Sequence, residues 1–263
     1  AVNGAVLTIS GEKVTITDIG TDRKSETSFL AGARDSGSII FDNVVTEIHV
    51  GNSETNHVGI FAGNGAVTFT ENTGILNIGA GTGIYVADNG SFTFNNTQGS
   101  LNVTNQGTGI YMQGGSVSIK GSETVIKAVS DDGLKGNSAV SVSIEKNNDN
   151  NTLDFGAEKT LLHGKTAGLY ISDGGRFSDG DSDMNSYTGD TMVNFAGDTV
   201  ITAVGGEYGS DAVYSDVGAK INFDKQVVLK ASTAEDESSA HGAEILYGSV
   251  LTAKDGLTVA LST

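Results

Sequence analysis

The stretch Thr82-Gly83-Ile84-Tyr85-Val86 returns 26 residues later as Thr108-Gly109-Ile110-Tyr111-Met112. The same order of a small residue, an aliphatic residue and an aromatic ring recurs in three other segments, Gly59-Ile60-Phe61, Gly168-Leu169-Tyr170 and Ala212-Val213-Tyr214. Most of the units that these segments begin are roughly 24 to 32 residues long, which is the range of solenoid repeats. The unit from Leu169 to Val213 is longer, at 44 residues. These spacings indicate a repeat protein with one enlarged unit.

Each unit carries further short runs in which apolar and polar residues alternate. After Ile84 and Val86 come Phe92-Thr93-Phe94 and then Leu101-Asn102-Val103. Alternation of this period places apolar side chains on one face of a strand and polar side chains on the other. Turn-forming glycine, asparagine and aspartate separate the runs. The pattern predicts three short strands per unit and no helical segment, except that residues 232–245 fit either one short helix or a loop.

Proline and cysteine are absent from the 263 residues, whereas glycine occurs 37 times. At the usual share of roughly 5%, about 13 prolines would be expected in a chain of this length. In a parallel β-helix each strand pairs with the coils on both sides, so proline would remove a ladder hydrogen bond at almost any strand position. Glycine and asparagine suit the corners, where φ is often positive. The sequence therefore predicts an all-β fold, a parallel β-helix of about eight to nine coils with three short strands each.

The sequence is strongly acidic, with a net charge of −17 at pH 7. Negative charge of this size repels the phosphate backbone of nucleic acids and the headgroups of anionic lipids. In addition, no apolar run approaches the roughly 18 residues that a membrane-spanning helix needs. The sequence thus predicts no nucleic-acid partner and no direct membrane insertion of this segment.

Residues 82–94 and 108–119 resemble the passenger repeats of bacterial autotransporter adhesins, which are exported by type V secretion. The resemblance lies in the Gly-Ile-Tyr starts, the abundance of Asn, Thr and Gly, the absence of Cys and the acidic charge. It implies a right-handed β-helix that is exported through the outer membrane and folds outside the cell or at the bacterial cell surface. Lack of cysteine suits this route, because disulfides formed in the periplasm would obstruct threading. Neither end has the features of a natural terminus, so we expect residues 1–263 to be a single passenger domain from a longer protein.

The resemblance implies a non-catalytic adhesin that attaches to host cells, to other bacteria or to glycans, or that associates with itself. The competing hypothesis is a polysaccharide-active β-helix enzyme, either a lyase or a hydrolase of the tailspike type. Such an enzyme needs two carboxyl groups that face each other across a groove, whereas Asp131 and Asp132 are neighbours in sequence, directly before Gly133, where the sequence predicts a turn. We therefore expect a surface protein or glycan as the partner and no enzymatic activity.

One aromatic residue per unit follows the inward-pointing aliphatic residue, so alternation directs it outward. The candidate residues of this column are Phe61, Tyr85, Tyr111, Tyr170 and Tyr214. Such a column could stack on sugar rings or contact a partner protein. The alternative is that the rings only stabilise the stack of coils by packing on one another.

The enlarged unit contains an inserted acidic loop at residues 176–190, and insertions in solenoids often form the binding face. Within the loop, Arg176 and Tyr187 are candidate ligand contacts. Four of its carboxylates have the spacing of the first, third, fifth and twelfth positions of an EF-hand-like calcium loop, and they are Asp179, Asp181, Asp183 and Asp190. Met184 stands where such loops have glycine. The loop is therefore either a Ca²⁺ site or a solvated acidic loop, and no other cofactor is expected.

Nucleophilic chemistry has one weak signal, because the segment from Arg34 to Ser38 resembles the Asp-Ser-Gly-Ser core of protease passengers around Ser36. No histidine precedes Ser36 to act as its base, which a serine protease requires. The four histidines are scattered, without the spacing of metal ligands, and they are His49, His57, His163 and His241. We expect Ser36 to lie in a turn and the histidines to lie on the surface.

Overall fold

A computed structural model describes residues 1–18, 28–50, 57–105, 107–128, 138–144, 150–172, 190–205, 209–233 and 239–262. In these ranges every regular element is a β-strand, so the prediction of an all-β fold is confirmed. Residues 240–245 form a strand, and the alternative of a helix there is wrong for those residues. None of the elements in these ranges is a helix of the length and apolarity that crossing a membrane requires.

Strands alternate with short turns along the whole described chain. In chain order they are β1 (Val6–Asp18), β2 (Ser28–Arg34), β3 (Ser38–Val50), β4 (His57–Gly63), β5 (Ala66–Phe69), β6 (Ile75–Ala80), β7 (Thr82–Phe94), β8 (Ser100–Asn105), β9 (Ile110–Ala128), β10 (Ser138–Ser143), β11 (Asn151–Gly164), β12 (Ala167–Ser172), β13 (Thr191–Phe195), β14 (Asp198–Ala203), β15 (Ser210–Ser215), β16 (Lys220–Phe223), β17 (Val227–Ser232), β18 (Ala240–Ile245), β19 (Val250–Ala253) and β20 (Leu257–Ser262). Long strands such as β9 contain glycines with positive φ, at Gly114, Gly115 and Gly121, and take part in more than one set of pairings.

All pairings between the described strands are parallel. They form three columns. Column A contains β5, β13, β16, β19, the starts of β1, β3 and β11, the end of β7 and the middle of β9. Column B contains β6, β8, β14, β17, β20 and the ends of β1, β3, β9 and β11. Column C contains β2, β4, β10, β12, β15, β18 and the starts of β7 and β9.

The inward side chains of the three columns form one apolar core. In column A, the rings of Phe155, Phe195 and Phe223 occupy the same register position and stack with centroids 4.8 Å apart and planes within 4° and 9°. We call these three rings the inner ring column. Phe41 and Phe69 form a second stack at 4.4 Å. Each fully buried ring contributes roughly 1.5–3 kcal/mol through removal of apolar surface from water.

The glycine of the Gly-aliphatic-aromatic segments serves packing between two columns. A Cβ atom at Gly168 in β12 would lie 2.1 Å from the Cγ2 methyl of Ile201 in β14 and 2.8 Å from the carbonyl oxygen of Ala212. Two further segments have the same arrangement. A Cβ atom at Gly59 would lie 2.8 Å from Ile78 Cγ2, and a Cβ atom at Gly109 would lie 2.2 Å from Ile126 Cγ2. The small residue therefore makes room in column C for an aliphatic side chain of column B.

Corners between the strands use residues with a positive φ, as the sequence predicts. Asp35 and Ser36 follow β2 with φ of 50° and 64°, and Asn64 follows β4 with φ of 49°. Ser36 thus lies in a turn, and the prediction of a turn at this residue is confirmed. Asp88 and Asn89 have φ of 51° and 63° within β7, where the register of its pairing with β9 shifts. These residues mark the places at which the chain leaves one column for the next.

Candidate functional site

The five predicted ring residues lie in column C, outside the main core. Phe61 pairs in register with Tyr85, and Tyr85 pairs with Tyr111. Their ring centroids are 5.2 and 5.1 Å apart. Tyr170 and Tyr214 form a second stack, with centroids 5.0 Å apart and planes within 12°. We call these five rings the outer ring column, and its tyrosines are half-buried whereas Phe61 is buried.

The outer ring column is interrupted at Ser141. This residue pairs in register with Tyr111 on one side and with Tyr170 on the other, so a hydroxymethyl group stands where a ring would continue the stack. Two strand spacings separate the two tyrosine positions, or about 9.6 Å. Stacked rings lie about 4.5–7 Å apart, so the two tyrosines are too far apart to stack on each other. We call this gap, with its two flanking rings, the Ser141 notch.

Hydrogen bonds orient rings in both stacks of the outer ring column. Gln113 Nε2 donates to Tyr111 Oη at 2.8 Å, and Tyr85 Oη donates to Gln113 Oε1. In the second stack, Tyr214 Oη donates to Asp216 Oδ2 at 3.1 Å. Burial, followed by the charge of Asp216, raises the pKa of Tyr214, so its hydroxyl stays a hydrogen-bond donor. Rings that are already ordered lose little conformational entropy when they contact a ligand.

The column has a basic end that sequence reasoning missed. The guanidinium carbon of Arg34 lies 4.8 Å from the ring centroids of both Phe29 and Phe61, which are themselves 4.4 Å apart. Cation–π contacts of this kind favour Arg over an aromatic face. The position of Phe29, about one unit before Phe61, could have indicated this pair of rings, because neighbouring units place such rings side by side.

A serine, a histidine and an aspartate meet near the start of the chain, which the sequence did not indicate. Ser28 Oγ is hydrogen-bonded to His57 Nδ1, and Asp18 Oδ2 lies 3.5 Å from the same nitrogen. In a nucleophilic relay the serine and the carboxylate contact opposite ring nitrogens, so this trio lacks that geometry. His57 is only 9% exposed, and the expectation that it lies on the surface is wrong.

Of the acidic loop at residues 176–190, the structure describes only Asp190. Arg176, Asp179, Asp181, Asp183 and Tyr187 lie outside the described residues, so their proposed roles stay predictions. The side chain of Asp190 is exposed, and one of its oxygens is 3.5 Å from Lys220 Nζ. An exposed ion pair of this kind contributes little to stability. Calcium binding by the loop therefore stays a prediction.

Another cluster that the sequence did not predict lies at the end of column C. Asp211 in β15 pairs in register with His241 in β18, and Tyr214 pairs with Glu244. The imidazole and the carboxylates of Asp211 and Glu244 come together there. Their spacing in sequence carries no metal-binding pattern, because Asp211 lies in the unit before the one that contains His241 and Glu244. Only the register between those units could have found them.

Comparisons of the chain with protein-family models, with curated proteins and with solved structures found no match. The fold and the candidate site define an all-β protein of parallel strands that carries an outward column of aromatic rings. What this protein does is therefore argued from the geometry of that column.

Proposed function

We propose that the protein is a non-catalytic adhesin of the autotransporter type, displayed at the bacterial cell surface, and that it binds glycan at the Ser141 notch. The proposal includes a right-handed parallel β-helix as its fold and residues 1–263 as one domain. The parallel pairing of each strand with the next unit supports the β-helix. The handedness is that of nearly all crossover connections between parallel strands.

The observation that carries the proposal is the replacement of one ring by Ser141 between Tyr111 and Tyr170. A gap of about 9.6 Å between two rings leaves room for one further ring to contact both. The C–H faces of a pyranose are apolar and pack on aromatic rings through burial of apolar surface and dispersion. A sugar in the notch would thus complete a stack that the chain itself leaves incomplete.

Polar groups beside the notch fit the hydroxyls of a sugar. Ser141 and Ser143 are both half-buried on the outward face of β10, and each hydroxyl can donate and accept a hydrogen bond. The amide of Gln113 adjoins Tyr111. The notch and its rim consist of five uncharged side chains, those of Tyr111, Gln113, Ser141, Ser143 and Tyr170. The protein as a whole has a net charge of −17. A neutral glycan is therefore the favoured ligand, because a polyanionic one would be repelled.

Adhesion does not require this one contact to be strong. Many copies displayed on one cell surface would bind many glycan chains, and linked binding events multiply weak affinities. An enzyme acting on the same glycan would need facing carboxylates, which Tyr111, Ser141, Ser143, Tyr170 and Gln113 do not supply. The geometry of the notch therefore supports binding without cleavage.

The test is a panel of neutral and acidic oligosaccharides with the Ser141→Tyr variant, which fills the notch. Wild-type protein is expected to bind a neutral member, and Ser141→Tyr is expected to reduce that affinity by more than about tenfold. Ser118→Tyr is the matched control, because Ser118 is also a half-buried outward serine but lies in column A. The control is expected to bind as the wild type does.

Three outcomes would overturn the proposal. They are the absence of binding to every oligosaccharide, equal binding by Ser141→Tyr and wild type, and shortening of the bound oligosaccharide in a mass spectrum. Circular dichroism of both variants establishes that a loss of binding does not come from unfolding.

A further inference from the structure

Three metal-ligand groups converge between β15 and β18, next to the last ring of the outer ring column. Asp211 Oδ1 lies 2.8 Å from His241 Nδ1, and Glu244 Oε2 lies 3.5 Å from the same nitrogen. One ligand atom from each of the three residues lies within 4.8 Å of the other two. We call this group the His241 cluster.

The distances within the cluster are close to those of a tetrahedral metal site. Nitrogen and carboxylate ligands lie about 2.0–2.2 Å from Zn²⁺ in four-coordinate sites. Tetrahedral angles then place neighbouring ligand atoms about 3.3–3.6 Å apart. The 3.5 Å between Glu244 Oε2 and His241 Nδ1 lies within that range, and the 2.8 Å between Asp211 Oδ1 and the same nitrogen lies about 0.5 Å below it. A cation between the three groups therefore requires the Asp211 and His241 side chains to move slightly apart.

A proton on His241 Nδ1 can bind only one of the two carboxylates well, whereas a dication can bind both. Both carboxylates approach Nδ1, and that nitrogen carries at most one hydrogen. One proton there can complete a short hydrogen bond to Asp211, but it leaves Glu244 without a directed donor from the ring. A metal ion bound to Nδ1 contacts both carboxylates at once.

The electrostatic surroundings also favour a cation. The carboxylates of Asp211 and Glu244 lie beside one imidazole in a protein of net charge −17. A bound dication would compensate the charges of both carboxylates.

We propose that Asp211, His241 and Glu244 bind one divalent transition-metal cation, with Zn²⁺ as its probe. An imidazole with two carboxylates suits Zn²⁺ and its neighbours, whereas Ca²⁺ and Mg²⁺ prefer oxygen ligands alone. The fourth position would be held by water. Because the ligands come from two successive units, the ion would join β15 to β18 and stabilise the last units of the sheet. This site is separate from the Ser141 notch and from the acidic loop.

The test is calorimetric titration of the whole chain with ZnCl₂, with CaCl₂ and MgCl₂ in parallel. One equivalent of Zn²⁺ is expected to bind, and His241→Ala is expected to weaken that binding by more than about tenfold. His163→Ala is the matched control, because His163 is a half-buried histidine in column B, and it is expected to leave binding unchanged. Glu244→Gln keeps the shape of a partly exposed side chain and is expected to weaken binding as well.

A second measurement separates the site from general attraction to an acidic surface. Zn²⁺ is expected to raise the melting temperature of the wild type and of His163→Ala, but not that of His241→Ala. The proposal is overturned if the wild type takes up no Zn²⁺, if Ca²⁺ binds as tightly and loses that binding in His241→Ala, or if both histidine variants lose Zn²⁺ binding equally. If His241→Ala does not fold, as judged by circular dichroism, Glu244→Gln decides between these outcomes.

Discussion

The inner and the outer ring columns use the same strand spacing but present their rings to opposite surroundings. Phe155, Phe195 and Phe223 stack almost face to face in a core that excludes water. Tyr85 and Tyr111 are tilted by 45°, are half-buried and direct their hydroxyls to a neighbouring amide. The comparison teaches that a repeat distance alone brings rings together. The face of the strand on which a ring lies decides whether it is enclosed in the core or reaches the surface of the protein.

The largest effect is expected from the centre of the inner ring column. Phe195→Ala removes a ring that contacts Phe155 and Phe223, and it leaves a cavity between them. Substitutions of this type cost about 3–5 kcal/mol, whereas Tyr214→Ala in the outer column should cost far less. Chemical denaturation of both variants measures the difference. If both variants lost the same free energy of unfolding, the inner and outer ring columns would contribute equally to stability, and the contrast between them would be wrong.

The second effect concerns the glycine that joins the inner packing to the outer rings. Gly168→Ala places a methyl group 2.1 Å from Ile201 Cγ2, and overpacking of this kind costs about 1–3 kcal/mol. Gly32→Ala is the matched control, because its Cβ would have no neighbour closer than 3.7 Å. Melting temperatures compare the two variants. A Gly168→Ala protein as stable as Gly32→Ala would refute the packing role of the motif glycine.

A smaller effect, of opposite sign, is expected at the Ser141 notch. Ser141→Tyr would join the two outer stacks into one, and an aromatic pair contributes about 0.5–1.5 kcal/mol. The variant should therefore melt at a higher temperature than the wild type, although the proposed function expects it to bind less glycan. A lower melting temperature would mean that the notch cannot hold a ring, and this result would count against a sugar ring there as well.

The smallest effect is the pH dependence contributed by His163, which lies on the outward face of column B. Burial, and then the charge of Lys127, lowers the pKa of His163 below its ordinary 6.5. The unfolded chain therefore binds this proton more readily, and stability should fall as the pH drops through 6.5. His163→Gln should flatten that part of the profile of melting temperature against pH. The same substitution at His49, which is exposed, supplies the control, and an unchanged slope in His163→Gln would contradict the assignment.

Much of the fold could be predicted from the sequence because its signals are local. The alternation of Phe92, Thr93 and Phe94 directly sets which side chains enter the core. The absence of proline fits strands that pair on both sides, as this part of β7 does with β5 and β9. The outward direction of Tyr85 and Tyr111 follows from the same alternation. These features depend on a few neighbouring residues, so no coordinates are needed to state them.

The clusters could not be predicted, because each combines residues from different units. His57 meets Ser28 across 29 residues, and His241 meets Asp211 across 30 residues. Unit lengths vary, so the register between units cannot be counted from a fixed period. The Ser141 notch could have been predicted, because Ala139-Val140-Ser141 corresponds to the Gly-aliphatic-aromatic segments but has a serine in place of the ring.

The direction of the hydrogen bonds between units has a mechanical consequence. These bonds join β19 and β20 to β16 and β17, and equivalent bonds join every pair of successive units. They run broadly along the columns and are slanted to the strands, as in other parallel ladders, so a pull that lifts the terminal unit loads its bonds before those behind it. We expect units to peel away one after another at a similar, modest force, and a tether made from this chain would yield in steps and absorb work under flow.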